Sequence, residues 1–212
     1  MIELYTAMQG VDNQEVLRRN GLGCDFGCIC KSPIAINFLS LPAHFENEFS
    51  NHIDMMKELI QGFSAQLAES LNIAAHAKLS PAKNPIRNVV IAGMGGSGIG
   101  GTLIKALTGE EANVPIEISK SYDVPAFINS NTLFIACSFS GNTEETISAA
   151  EKAKAKGAQI VAITSGGKMG DFVRAHGYDM IAIPGRSNSP RASIGYSFVQ
   201  LFLILHFHGI IP

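Results

Sequence analysis

The chain predicts an α/β domain, a three-layer α/β/α sandwich with about five parallel strands preceded by an amphipathic helix. Two observations carry that expectation. Short runs that are apolar from end to end, such as NVVIAG (88–93) and NTLFIACS (131–138), recur along the chain and lack the polar alternation of a sheet with one wet face. Between them lie helix-length stretches, as expected of helices that cover both faces of a parallel sheet. With 46% hydrophobic residues the chain has ample material for a core.

The elements follow in order. Met56, Leu59, Ile60, Phe63, Leu67, Leu71 and Ala74 recur at three- and four-residue steps, which places them on one face of a helix between about 51 and 78. Ser80, Pro81 and Pro85 end it. NVVIAG is the first strand, and a glycine-rich turn leads from it into a helix over about 97–107. VPIEIS (114–119) is a weaker strand. NTLFIACS is the next, followed by a helix from about Asn142 to Lys156. AQIVAIT (159–165) and DMIAIP (179–184) are strands around a helix near 168–176, and a last apolar helix begins near Arg191. Residues 1–54 show no periodicity and read as an extension, either poorly ordered or upstream of a natural start at Met55 or Met56. The domain proper is expected over 55–212.

Charge and cysteine use exclude several function classes. A formal charge of −2 without any lysine or arginine run gives no pull toward nucleic acid or acidic membrane. The N-terminus lacks the pattern of a signal peptide. Ile194 to Ile211 is apolar for nearly a membrane span, but Ser197, Gln200, His206 and His208 favour a buried helix. Cys24, Cys28 and Cys30 form C-x3-C-x-C, which is not the paired spacing of zinc sites; with Cys137 they read as free thiols of a cytoplasmic protein, and no metal is expected.

Three loops should leave the same edge of the sheet, where ligands of such folds bind. GMGGSGIGG (93–101) satisfies G-x-G-x-x-G through Gly93, Gly95 and Gly98, which admits a dinucleotide reading. That reading wants an acid at the end of the next strand, and Glu117 sits in mid-strand. SFSGNTEET (138–146) offers the hydroxyls of Ser138, Ser140 and Thr143, a turn at Gly141 and a helix cap at Asn142, with Glu144 and Glu145 complementing the helix dipole. Hydroxyls and free amides at a helix start suit one compact dianion. No G-x4-G-K-[ST] string occurs, so a nucleoside triphosphate loop is not indicated. The third loop, PGRSNSPRASIGYS (184–197), carries Arg186 and Arg191, the second fixed by Pro190 and able to face a developing oxyanion.

Taken together, GMGGSGIGG, SFSGNTEET and SPRASIGYS, in this order, resemble the sugar isomerase (SIS) domain family, most closely its bifunctional phosphoglucose/phosphomannose isomerases. The resemblance covers about 55–212 and implies a flavodoxin-like SIS domain. It implies a phosphorylated hexose held by Ser138, Ser140, Gly141, Asn142 and Thr143, a sugar lined by Gly95, Gly96 and Ser97, and Pro190 with Arg191 facing an enediolate. It further implies no cofactor, no metal and a homodimer. The implied chemistry interconverts glucose 6-phosphate or mannose 6-phosphate with fructose 6-phosphate. Members of that group carry two SIS domains, and their glutamate base and ring-opening histidine lie beyond the first. The chain is therefore expected to be either part of a longer isomerase or a module that binds a sugar phosphate without turning it over.

Overall fold

The structure, a computed structural model, describes residues 56–185 and 190–212. The expectations for residues 1–54, the Cys24, Cys28 and Cys30 cluster among them, and for Arg186 lie outside the described residues.

Strands without a polar face need cover on both sides, and the helices supply it. The strands are β1 (Asn88–Ala92), β2 (Ile116–Ser119), β3 (Thr132–Ser138), β4 (Gln159–Thr164) and β5 (Asp179–Ala182). All pair in parallel, in the order β2-β1-β3-β4-β5. Helix α1 (Phe63–His76) precedes the sheet; α2 (Gly95–Thr108), α3 (Glu144–Ala155) and α4 (Gly167–His176) connect its strands, and α5 (Ile194–Phe207) follows it. Successive strand residues point to opposite faces. Val89, Ile91, Leu133 and Ile135 therefore pack with Ile104 of α2 and with Leu201, Ile204 and Leu205 of α5. Val90 and Phe134 pack on the other side with Ala149, Ala150 and Ala153 of α3 and with Met169 and Val173 of α4. Every residue of β3 is buried, as the central position requires. The expected three-layer sandwich is what forms.

Strand order positions the site. From β1 the chain moves outward to β2 on one side, and from β3 to β4 on the other. The loops leaving the carboxyl ends of β1 and β3 thus diverge and leave a crevice between them.

Helix α1 departs from its sequence pattern in one respect. The apolar stripe forms, but much of it faces solvent: Leu71 is 62% exposed, and Ile60, in the helical stretch just before α1, is 68% exposed. Its contact with the rest of the domain runs instead through Ile73 and Ala77, packed on the core, and through a polar seam. In that seam fully buried Gln200 donates from Nε2 to the Ser70 carbonyl at 2.8 Å. A buried amide requires a partner, and α1 supplies it from its backbone. Among the described residues no helix is long and apolar enough to cross a membrane; the stretch Ile194–Phe207 packs on the sheet.

Candidate functional site

The Ser138–Thr146 loop is built around one residue. Gly141 has φ +70 and donates its N–H to the Ser138 carbonyl at 3.1 Å, closing the turn that reverses the chain out of β3. Ser138, fully buried, donates from Oγ to Oγ1 of Thr143 at 3.0 Å. Thr143 is the N-cap of α3, yet its side chain makes no capping bond. Its hydroxyl is half-buried and accepts from the Ser138 hydroxyl beneath it. Ser140 is exposed and accepts the Asn142 N–H at 3.2 Å. Glu144 and Glu145 occupy the first turn of α3, as expected.

Asn142 corrects the sequence reading. It does not cap α3, because the helix starts at Glu144 and the cap position falls on Thr143. Its Oδ1 instead accepts the Lys168 N–H of α4 at 3.1 Å, and its Nδ2 donates to the Ser140 carbonyl at 3.2 Å. It thus satisfies one orphan amide of a neighbouring helix. The amides that open α3 have no preceding intrahelical carbonyl and remain available with the positive end of the dipole.

The other two loops meet this one. Ser97, in the first turn of α2 beside exposed Gly95 and buried Gly96, accepts the Phe139 N–H on its Oγ at 3.1 Å. Arg191 does not open α5; it lies exposed in a 3-10 turn, Pro190–Ser193, one step before the helix. Ser193 of that turn lines a cavity of about 10 Å³ together with Ser97, Ser138 and Phe139. The three loops singled out from the sequence are therefore adjacent at one sheet edge, around the β1/β3 crevice.

A fourth loop was missed. Ser165 donates from both N and Oγ to the Phe139 carbonyl, at 3.0 and 2.6 Å, and the Met169 N–H donates to the Gly141 carbonyl at 2.8 Å. The signal was present in ITSGGK, a serine and two glycines directly after an apolar strand. It holds the Ser138–Thr143 turn from beneath.

Burial pushes the Cys137 thiol up to about 12, so it stays protonated and inert. Glu117 pairs with Lys105 at 2.9 Å in mid-strand, away from the end of β2 where a ribose-binding acid is needed. The four described histidines, His76, His176, His206 and His208, lie at or just past helix C-termini. His208 feels Asp179 at the start of β5, which places it at the opposite sheet edge. The hydroxyls of Ser140 and Thr143 and the first amides of α3 lie together at this helix start, over the buried hydroxyl of Ser138.

Residues 84–169 match the family model of the SIS domain. The chain carries a SIS domain. A bifunctional phosphoglucose/phosphomannose isomerase of Caldicellulosiruptor bescii is 41% identical over 156 residues, covering 74% of this chain and 46% of that protein. One from Thermoplasma acidophilum is 49% identical over 109 residues, 51% of this chain and 33% of that one. A D-glucosamine-6-phosphate 4-epimerase of Sulfolobus acidocaldarius is 33% identical over 59% of the chain and 40% of its own length. The chain spans less than half the length of these relatives. Among solved structures, one from Clostridium difficile 630 described as a phosphosugar isomerase superposes with TM-score 0.60 at 16% identity, covering 74% of this chain and 47% of that one. The C-terminal domain of glucosamine-fructose-6-phosphate aminotransferase from Francisella tularensis superposes at 0.52 and 14% identity, over 73% of this chain and 49% of that one. At such identities the SIS fold is what these superpositions share.

Proposed function

We propose that residues 55–212 are the phosphosugar-binding SIS domain of an aldose–ketose isomerase that interconverts glucose 6-phosphate or mannose 6-phosphate with fructose 6-phosphate. The observation that carries this reading is the start of α3, where the Thr143 hydroxyl, which makes no capping bond, the exposed Ser140 hydroxyl and the first helix amides lie together for one anion. In this role Ser138, Ser140, Gly141, Asn142 and Thr143 build the phosphate cradle. Gly95, Gly96 and Ser97 line the sugar, and Pro190 sets Arg191 toward the oxygen that becomes negative in the cis-enediolate. Holding the remote phosphate orients C1 and C2 for proton transfer. The names of the relatives support the choice of hexose phosphates.

A binding-only reading is favoured by the histidines, none of which lies at the site edge among the described residues. One pair of measurements separates the possibilities. Fructose 6-phosphate at about a hundredfold above its Kd is expected to raise the Tm of this chain by roughly 5–10 °C, and free fructose to leave it unchanged. Equal shifts with both sugars would refute the cradle. Isomerisation by the 212-residue chain alone would remove the binding-only reading.

The partner in this reading is a second copy of the chain. Exposed apolar side chains gather on the α1, α2 and α5 layer: Ile60, Leu71, Leu103, Leu107, Phe202 and Phe207. Residues 194–207 contain no charged side chain. An isologous contact sets a face against itself, and along α5 it brings no like charges together. Sedimentation at micromolar concentration is expected to give a dimer, and Leu71→Glu or Leu103→Glu a monomer. A wild-type monomer would overturn the assignment.

A further inference from the structure

The polar face that α1 turns inward has a specific target. Gln66 donates from Nε2 to the carbonyl of Ala192 at 2.8 Å, and its Oε1 accepts the N–H of Gly195 at 2.8 Å. One carboxamide thereby grips both ends of the four-residue stretch that leads from the arginine turn into α5. Three residues on, Glu69 accepts the hydroxyl of Tyr196 at 2.6 Å. The start of α5 explains why such a grip is needed. Its N-cap, Ser193, makes no side-chain capping bond, so the first amides of the helix must be satisfied from elsewhere. The acceptor comes from a residue 129 positions earlier in the chain. Gly195 is fitted to it: a Cβ there would stand 2.4 Å from Gln66 Oε1.

We infer that Gln66 is a positioning residue for Arg191, capping α5 in trans and fixing the 3-10 turn so that the guanidinium is presented at the site edge. The inference rests on the phosphosugar reading, in which Arg191 meets the ligand. It also accounts for the polar residues on the inner side of α1, where Gln66 and Glu69 stand beside the apolar contact of Ile73. A glutamine suits the grip on the turn, since it carries donors and an acceptor on one short plane. Arg191 lies one residue from the gripped carbonyl of Ala192. Loosening the grip frees the turn while the loops after β1, β3 and β4 keep their own bonds.

A double-mutant cycle read by calorimetric binding of fructose 6-phosphate tests this. Gln66→Met, which keeps the volume and removes both bonds, is expected to weaken affinity about fivefold, and Arg191→Ala more than about tenfold, with the double variant no weaker than Arg191→Ala alone. Equal weakening by Gln66→Met in both backgrounds would show a general structural role and overturn the proposal, as would unchanged affinity. Amide hydrogen exchange supplies an arm independent of the sugar. Exchange at Gly195 is expected to rise about tenfold in Gln66→Met while amides of α3 are unaffected. Unchanged exchange at Gly195 defeats the clamp whatever the binding result. A wild-type chain that binds no fructose 6-phosphate defeats the phosphosugar reading, and with it the purpose assigned to the clamp, even where the exchange result holds.

Discussion

A Gly141→Ala chain is expected to lose phosphosugar binding entirely and to unfold at a much lower urea concentration than the wild type. Two separate costs fall on one methyl group. At φ +70 an L-residue pays about 1–2 kcal/mol for the left-handed conformation. The added Cβ would also stand 1.8 Å from the Gly166 carbonyl oxygen, which is backbone and cannot rotate away. Relief requires the loop after β3 or the loop after β4 to move. These loops hold one another through the Met169–Gly141 and Ser165–Phe139 bonds, so the displacement propagates. A total of about 4 kcal/mol or more is expected, a large part of the roughly 5–15 kcal/mol that a domain has. Gly157→Ala separates the two costs. Gly157 has φ +81, but a Cβ there meets nothing nearer than Ser130 Cβ at 3.8 Å. That variant is expected to lose only about 1–2 kcal/mol and to bind normally. Urea unfolding of both variants checks the comparison, and equal midpoints would show that the contact between the two loops contributes nothing.

The contrast bears on what a sequence of this kind reveals. The central strands β1, β3 and β4 were legible because burial on both faces writes an uninterrupted apolar run, whereas the edge strands β2, with exposed Glu117, and β5 carried a weaker one. The three site loops were legible because glycine and hydroxyl residues directly after such runs have few other reasons to be there. Asn142 misled because cap chemistry identifies a residue type and leaves its partner open. One extra residue of turn moved the cap to Thr143 and gave the carboxamide to α4. The loop after β4 carried the same signature in ITSGGK but lay beside a less conspicuous strand end.

Helix α1 shows a different limit. Periodicity finds a stripe and cannot say which stripe faces inward. Met56, Ile60, Phe63 and Leu71 form the apolar side, yet Gln66, Glu69 and Ser70 make the contacts to the start of α5 and to Gln200. A polar seam is invisible to a hydrophobicity pattern because its stabilisation depends on geometry: two carboxamides that meet two carbonyls and one N–H at 2.8 Å across more than a hundred residues. The outward apolar side is then what remains for another surface to cover.

Thr143→Val is expected to weaken fructose 6-phosphate binding about tenfold to a hundredfold while leaving the Tm of the free chain nearly unchanged. An N-cap threonine replaced by an apolar residue ordinarily costs about 0.5–2 kcal/mol of helix stability. Here the side chain makes no capping bond, so α3 has nothing of that kind to lose. Valine keeps the branched shape and the volume. What disappears is one hydroxyl, held in place by the Ser138 donor at 3.0 Å. A hydrogen bond to a charged acceptor contributes about 1.5–3 kcal/mol, which sets the expected range. Ser138→Ala should show a smaller loss of affinity, since its hydroxyl is fully buried and acts by orienting Thr143. It should show a larger loss of stability, because the Thr143 oxygen then loses its donor. The two variants thus split affinity from stability in opposite directions. If Thr143→Val instead lowered the Tm by several degrees and left the Kd for fructose 6-phosphate where it was, the hydroxyl would be a structural cap after all and the anion would have to be held elsewhere.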